Sequence, residues 1–186
     1  MKRFAAAALC AGLLSACTIT HEYPSTWSDV VPGGGCRAIA GVFQNRAEAG
    51  EKFDPAAISL AGFFFARNDP AFPREMRADR VEISYTDVLT VRAYDGSELV
   101  GTSHGLYGDD ARFECDGDGA VAEKTGMTGG KSPVAGIQSE TVALRMAKDG
   151  SLTVKVTGNT TGLVFMLLPM SGGEARWLRY RPWRAS

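Results

Sequence analysis

Residues 101–105 read Gly-Thr-Ser-His-Gly, which has the G-x-S-x-G spacing of a nucleophile elbow, where a serine attacks an acyl carbon. Such a serine needs a helix directly after it and a triad histidine later in the chain. The residues after this segment have the composition of a loop, no histidine follows His104, and the other histidine is His21. We therefore interpret Ser103 as a strand end that runs into a turn, and we keep a serine hydrolase only as the third functional hypothesis.

A second glycine-rich segment, Gly-Gly-Lys-Ser at 129–132, matches the end of a phosphate-binding loop. The first glycine of that loop would be at position 125, where the chain has Thr125. Pro133 also opposes the helix that must follow the loop. The segment therefore predicts no nucleotide site.

Asp116 and Asp118 have the spacing of the first two ligands of a calcium-binding loop. Ala120 and Val121 occupy the next ligand position and the position that needs glycine. The carboxylates are therefore predicted to shape a turn, and the sequence predicts no metal ion and no cofactor.

Arginines and aromatic residues alternate near the C-terminus, a pattern that could stack cations on rings or meet anionic lipid or glycan. The simpler interpretation is a last strand with Leu178 and Tyr180 facing inward and Arg179 and Arg181 facing outward. The residues concerned are Arg176, Trp177, Arg179, Tyr180, Arg181, Trp183 and Arg184.

The N-terminus has the three parts of an export signal: Lys2 and Arg3, then an apolar run over 4–14, then small residues before Cys17. The apolar run is shorter than the roughly 20 residues that a membrane-spanning helix needs. We therefore predict a signal peptide, residues 1–16, that is removed from the mature chain.

Leu-Ser-Ala-Cys at 14–17 resembles the bacterial lipobox. The resemblance implies diacylglycerol on the Cys17 thiol, cleavage before Cys17 and an acyl group on the new amine. Several acyl chains suffice for stable anchoring. Thr18 occupies the position where an aspartate would favour the inner membrane in enterobacteria-like sorting. The expectation is a lipid-anchored protein of the outer membrane that faces the periplasm.

Removing residues 1–16 takes Lys2 and Arg3 from the 20 basic residues, so that 18 face 21 acidic residues and the formal net charge is −3. No basic surface large enough to bind nucleic acid is indicated. The remaining length suits one domain with a sizeable core.

Cys36 and Cys115 are the two cysteines left once Cys10 is cleaved off and Cys17 is acylated. In an oxidising compartment they are predicted to form a disulfide. Two free buried thiols and metal ligation are the alternatives, the latter without any CxxC motif or clustered histidine.

The segment 17–35 is polar, contains Pro24 and Pro32 and ends in three glycines, so we predict a flexible tether. A single domain is expected over 36–186. Within it, Asp54 and Pro55 resemble a helix start, and residues 56–66 would form that one short helix, although the Phe-Phe-Phe run at 63–65 suits a buried strand equally well.

From Arg80 onward apolar residues alternate with polar ones, as in half-buried strands. Asp-Gly pairs recur between the strand-like runs, as in hairpin turns. The fold expected is mainly β: an antiparallel meander that forms a curved sheet or lipocalin-like barrel, with a two-sheet sandwich as the alternative. A long loop is expected over 126–136. The strand-like runs are 88–94, 99–104, 112–115, 120–124, 141–147, 152–157, 163–168 and 175–181.

A short pattern in the domain resembles one found in small uncharacterised proteobacterial lipoproteins. It consists of Cys36, Gly41, Phe43, Asn45 and Cys115, followed by Asp-Gly-Ser-Leu at 149–152. Gly41-Val42-Phe43 is also similar to the G-x-W start of lipocalins, with Phe in place of Trp. The resemblance implies a fold and a pair of cysteines but no catalytic residue.

Three functional hypotheses follow. The first is a non-enzymatic envelope lipoprotein, held on the membrane through Cys17, that binds a partner protein, a glycan or another envelope component. The second is a lipocalin-like carrier of a small apolar ligand. The third is the hydrolase through Ser103.

Overall fold

The computed structural model describes residues 17–20, 22–49, 58–107, 111–128, 134–164 and 168–184. The predicted signal peptide, the helix start at Asp54 and the glycine-rich segment 129–132 lie outside these residues. Within the described part of the chain, no helix is long and apolar enough to cross a membrane.

Nearly all regular structure is β. One sheet has the order β2-β4-β5-β6, and a larger one has the order β1-β13-β12-β11-β10-β9, with β3 also paired to β13. The first sheet contains β2 (Gly41–Gln44), β4 (Arg80–Tyr85), β5 (Leu89–Asp95) and β6 (Glu98–Ser103). The second contains β1 (Cys17–Thr20), β3 (Glu48–Ala49), β9 (Glu114–Cys115), β10 (Gly119–Thr128), β11 (Val134–Met146), β12 (Leu152–Val164) and β13 (Leu168–Tyr180). A small hairpin joins β7 (Leu106–Tyr107) to β8 (Ala111–Arg112), and the helices are α1 (Gly35–Ala38), α2 (Phe72–Glu75) and a 3-10 turn (Ala61–Phe63).

The predicted mainly β, antiparallel meander is confirmed. Consecutive strands pair from β4 to β6 and from β9 to β13, and β1 pairs with β13 in parallel. Asp-Gly turns join β5 to β6 and β11 to β12, where Gly96 and Gly150 have φ values of 59° and 80°. A side chain is strained at such angles, which explains why glycine stands there.

The two sheets are connected edge to edge by the residues that follow β13. The backbone N–H of Gln44 donates to the Arg181 carbonyl at 2.8 Å, and that of Trp183 donates to the Val42 carbonyl at 2.8 Å. These two bonds join an edge of one sheet to the other. In the described residues no pairing joins β6 to β9, so the meander does not close into the barrel that was one of the expected forms. The arrangement is consistent with a curved sheet or with a two-sheet sandwich.

The strands of the larger sheet run further than the sequence predicts. β10 continues to Thr128 and β11 begins at Val134, within the loop expected over 126–136, and the strand expected over 163–168 contains the end of β12 and the start of β13. These extensions are rich in Gly, Thr and Ser and leave the core, so they lack the apolar alternation that marks a half-buried strand.

The helix predicted over 56–66 is also shorter than expected. In its described part only the 3-10 turn Ala61–Phe63 is helical, and Phe64 and Phe65 are buried without forming a strand. Asn45 draws this segment inward, because its side-chain oxygen accepts from the Ala61 N–H and its carbonyl accepts from the Leu60 N–H, each at 2.8 Å. The helix α2 was not predicted.

The core lies between the inner faces of the two sheets and is closed by the 3-10 turn. Phe43, Leu144 and Tyr180 are among its largest fully buried side chains. Cys36 and Cys115 form the predicted disulfide, which joins α1 to β9 with the two α carbons 5.2 Å apart. In the chain-entropy model, closing a loop of this length stabilises the fold by about 4–5 kcal/mol.

The segment 22–34, predicted as part of a tether, lies along the domain. Its ring, ion-pair and backbone contacts are spaced along its length. They join Tyr23 to Trp177 at 4.9 Å between ring centroids, Asp29 to Lys148 at 2.7 Å, and the Gly33 N–H to Asp118 at 2.8 Å. The path from Cys17 to the domain is therefore short in this structure.

Candidate functional site

A cleft of about 290 Å³ opens between the end of β6 and the segment that contains the 3-10 turn and α2. Glu75 and Ser103 lie at its base, and Asp69, His104 and Arg112 are among its other lining residues. We call it the Glu75–Ser103 cleft. Its size suits a small polar group better than a whole apolar ligand.

Ser103 is the last residue of β6 and is paired with Val91 of β5. Its side chain is only 5% exposed, and its Oγ has no hydrogen-bond partner among the described residues. A buried hydroxyl without a partner costs about 1–3 kcal/mol, so such atoms are usually satisfied by a ligand or by ordered water. Ser103 Oγ is therefore a buried polar atom beside the cleft that ordered water or a ligand would satisfy.

The nucleophile-elbow spacing does not assemble a catalytic pair. β6 ends at Ser103, and Gly105, with φ of 64°, turns the chain into β7 instead of a helix. His104 is exposed, as expected for the next residue along a strand, and its Nδ1 contacts Thr90 Oγ1 at 3.5 Å. The interpretation of Ser103 as a strand end before a turn is confirmed.

Glu75 is the second buried polar group of the cleft. It is 4% exposed, and its Oε2 has no hydrogen-bond partner among the described residues. Burial raises the pKa of this carboxyl, and the negative charge of Asp69 raises it further. Burial therefore disfavours the ionised form of this carboxyl.

The glycine at position 101 makes room for Glu75. A Cβ at Gly101 would lie 2.8 Å from Glu75 Cγ and 2.9 Å from Cδ, closer than real carbon atoms approach. The Glu75 side chain therefore lies against the backbone of Gly101, in space that a larger residue would fill. The pairing of Gly101 with Ala93 across β5 and β6 fixes this position in the sheet.

Asn45 fixes the position of α2. Its side-chain nitrogen donates to the carbonyls of Met76 and Ala78 at 3.2 and 2.9 Å and reaches that of Glu75 at 3.4 Å. Its side-chain oxygen accepts from the N–H of Ala61, in the 3-10 turn of the same wall. One buried amide thus joins both segments that form the wall of the cleft.

The lining residues carry charges of both signs. Asp69 and Glu75 are acidic, and both line the cleft. Arg112, in β8, is basic and exposed. Phe64 and Phe65 supply the apolar part of the lining and are buried. The cleft therefore offers a ligand two carboxyls, one guanidinium and apolar rings.

The other residues singled out in the sequence have structural partners. Asp116 Oδ1 accepts from the backbone N–H groups of Asp118 and Gly119 at 2.9 and 2.8 Å, and its Oδ2 pairs with Arg145. This is the turn role predicted for Asp116, whereas the Asp118 carboxylate accepts from the Gly33 N–H. In the described part of the chain, no group of three or more His, Cys, Asp or Glu residues could hold a metal ion.

The arginines near the C-terminus also serve the fold. Leu178 and Tyr180 face inward and are buried, as predicted. Arg179 pairs with Glu48 at 3.1 Å and lies over the ring of Trp27, with 5.4 Å from Cζ to the centroid. Arg181 pairs with the same glutamate. These contacts stabilise the pairing of β13 with β3. Arg179 and Arg181 are therefore already paired with an acidic residue of the protein itself.

Sequence reasoning missed Glu75 and the role of Asn45. Glu75 follows Arg74 in Phe-Pro-Arg-Glu-Met, where it has the pattern of an exposed charge, and the segment is too short to show helical periodicity. Asn45 belongs to the short pattern with Cys36 and Phe43, but the pattern gives no structural role for it. Comparison with protein-family models, with curated proteins and with solved structures found no match for this chain.

Proposed function

We propose that this chain is a lipid-anchored protein of the bacterial cell envelope that binds an envelope component in the Glu75–Ser103 cleft and has no enzymatic activity. Acyl chains on Cys17 hold it on the outer membrane, facing the periplasm. The observation that supports binding is the pair of buried polar atoms, Glu75 Oε2 and Ser103 Oγ, that lack hydrogen-bond partners among the described residues of one cleft.

Binding accounts for the cleft better than catalysis does. A serine nucleophile needs a base within hydrogen-bond distance, whereas Ser103 Oγ has no hydrogen-bond partner among the described residues and the His104 ring contacts Thr90 Oγ1. The hydrolase hypothesis therefore gains no supporting contact. The carrier hypothesis gains none either, because Phe43, Leu144 and Tyr180 fill the space between the inner faces of the two sheets.

The chemistry of the cleft favours a ligand with a primary amine. An ammonium group beside Glu75 would stabilise the ionised carboxylate that burial and Asp69 disfavour. It would also donate to Ser103 Oγ, since an ammonium has three N–H donors and no acceptor. A carboxylate on the same ligand would pair with Arg112. The peptide part of the cell wall carries both groups, so we infer that class of ligand.

Isothermal titration calorimetry with D-alanyl-D-alanine tests this proposal. The dipeptide should bind, and Glu75→Gln and Ser103→Ala should each weaken binding about tenfold or more, since a hydrogen bond to a charged group is worth about 1.5–3 kcal/mol. N-acetylation of the dipeptide should have a similar effect. Glu114→Gln, at an exposed glutamate outside the cleft, is the matched control and should leave affinity unchanged. Absence of binding, or equal binding to all variants, would contradict the proposal.

Intact mass of the protein purified from membranes tests the anchor. The expected mass is that of the chain from Cys17 with three acyl chains, and the two remaining cysteines should resist alkylation until reduction. A mass without acyl groups would contradict anchoring through Cys17.

A further inference from the structure

Four strands of the larger sheet continue well beyond the core. The last buried core residues in β10, β11, β12 and β13, counted toward the far end of the sheet, are Ala122, Val142, Val156 and Ala175. Beyond them the strands pair with one another in unbroken register. We call this extension, residues 123–128, 134–141, 157–164 and 168–174, the distal sheet.

One face of the distal sheet carries three exposed apolar side chains. Met127 is paired directly with Ile137, and Ile137 with Thr161, two residues before Leu163. Directly paired residues, and residues two apart on a strand, point to the same face. Met127 is 90% exposed, Ile137 58% and Leu163 41%. Because Ala122 and Val142 pair on the core face, the three apolar side chains lie on the outer one.

The residue proposed to carry the lipid lies at the same end of the molecule. β1 runs parallel to β13, with Cys17 opposite Gly172 and Thr20 opposite Ala175, so that Cys17 is the end of β1 further from the core. Gly172 is paired with Thr160 of β12. The next residue of β12, Thr161, is the one that is paired with Ile137. Three strand spacings separate β1 from β11, which places Cys17 roughly 15 Å from Ile137 across the sheet.

We propose that the outer face of the distal sheet lies on the bilayer that holds the acyl chains of Cys17, with Met127, Ile137 and Leu163 entering the headgroup region. This inference rests on the proposed lipid anchor. A contiguous group of exposed apolar side chains marks an interaction surface. The acyl chains on Cys17 would enter the membrane about 15 Å from Ile137, so the apolar side chains of the distal sheet are close enough to contact the same membrane.

The contacts of the segment 22–34 favour this geometry. Tyr23 packs on Trp177 and Asp29 pairs with Lys148, so the chain between Cys17 and the domain follows the sheet. The domain is thus held beside its anchor. The described charged residues of the distal sheet are mainly acidic: they are three glutamates, Glu123, Glu140 and Glu174, and one lysine, Lys124. Apolar contact, and not attraction to anionic lipid, is therefore the expected source of binding.

Site-directed fluorescence on the acylated chain tests the inference. Cys36 and Cys115 are joined in a disulfide and Cys17 is acylated, so a single introduced cysteine can be labelled selectively. Ile137→Cys reports on the distal sheet. Val88→Cys is the matched control, since Val88 is 50% exposed and lies in the turn between β4 and β5 of the other sheet. Both proteins, with acylation verified by intact mass, are inserted into phosphatidylcholine vesicles that contain nitroxide-labelled lipid.

The nitroxide lipid should quench the label at position 137 at least about threefold more strongly than the label at position 88. Replacing part of the phosphatidylcholine with anionic lipid should not increase this difference. Equal quenching at the two positions on vesicle-bound, acylated protein would overturn the inference alone, whereas a chain without acyl groups would overturn the proposed anchor with it. A response that needs no vesicles and grows with protein concentration would assign the face to a second copy of the chain, and would also overturn the inference.

Discussion

The carboxylate side chain of Glu75 crosses the α carbon of Gly101, where an added Cβ would lie 2.8 Å from Glu75 Cγ. This contact joins α2 to the edge strand β6 and places a buried acidic group in the cleft that Ser103, two residues further along that strand, also lines. The proposed binding function therefore depends on the absence of a side chain at one position.

Gly101→Ala is expected to displace Glu75 from the cleft. The added methyl group cannot share the space of the carboxyl, so affinity for D-alanyl-D-alanine should fall about tenfold or more, as for Glu75→Gln. Gly158→Ala is the control, because Gly158 is also a strand glycine and a Cβ there would meet no atom within 4 Å. Calorimetry on the two variants measures the effect, and unchanged affinity in Gly101→Ala would show that Glu75 does not contact the ligand.

The pH dependence of stability should show that ionised Glu75 destabilises the folded protein. Its pKa is higher in the folded protein than in the unfolded chain, so its contribution to stability is present below the unfolded pKa and is lost as pH rises through the folded pKa. Glu75→Gln cannot ionise. The variant should therefore gain stability relative to the parent protein as pH rises above the ordinary pKa of glutamate, as measured by urea unfolding. A difference that does not change with pH would contradict the raised pKa.

Asn45→Ala should destabilise the fold by about 3 kcal/mol, because it leaves the buried Ala61 N–H and the carbonyls of Met76 and Ala78 without their partner. Asn159→Ala, at an exposed position of β12, should change stability by less than about 0.5 kcal/mol. Urea unfolding gives both values. A small loss in Asn45→Ala would mean that the walls of the cleft are held mainly by other contacts.

Tyr180→Phe should leave stability unchanged or raise it by up to about 1 kcal/mol. The phenol is fully buried, and its hydroxyl has no hydrogen-bond partner among the described residues. Removing an unsatisfied polar atom while keeping the ring preserves the packing. Thermal unfolding measures the difference, and a clear loss of stability would reveal a partner for the hydroxyl.

The parts of the fold that could be predicted are those where local pattern and burial agree. Val81 and Ile83 alternate with polar residues because one face of β4 is buried, and Asp95-Gly96 marks a turn because the backbone there needs a positive φ. The disulfide was predicted from the small number of cysteines that the expected export and acylation would leave. Each of these signals lies in the residues concerned.

The cleft could not be predicted because its parts meet only through tertiary packing. Glu75 and Ser103 are 28 positions apart, and the helix that carries Glu75 has four residues, fewer than a periodic signal needs. Its place depends on hydrogen bonds from Asn45, which is equally distant in sequence. The long strands escaped prediction for a different reason: in the distal sheet glycine and threonine replace the apolar alternation that burial would require.

The most direct test of the proposed binding site is the titration of the Glu75 carboxyl by NMR in protein with ¹³C-labelled glutamate, with and without D-alanyl-D-alanine. In the free protein the pKa should lie above the usual range for glutamate, because the group is buried near Asp69. The dipeptide should lower it, since an ammonium group beside Oε2 favours the ionised form. A resonance that keeps the same pKa in the presence of the dipeptide would contradict the proposed role of Glu75.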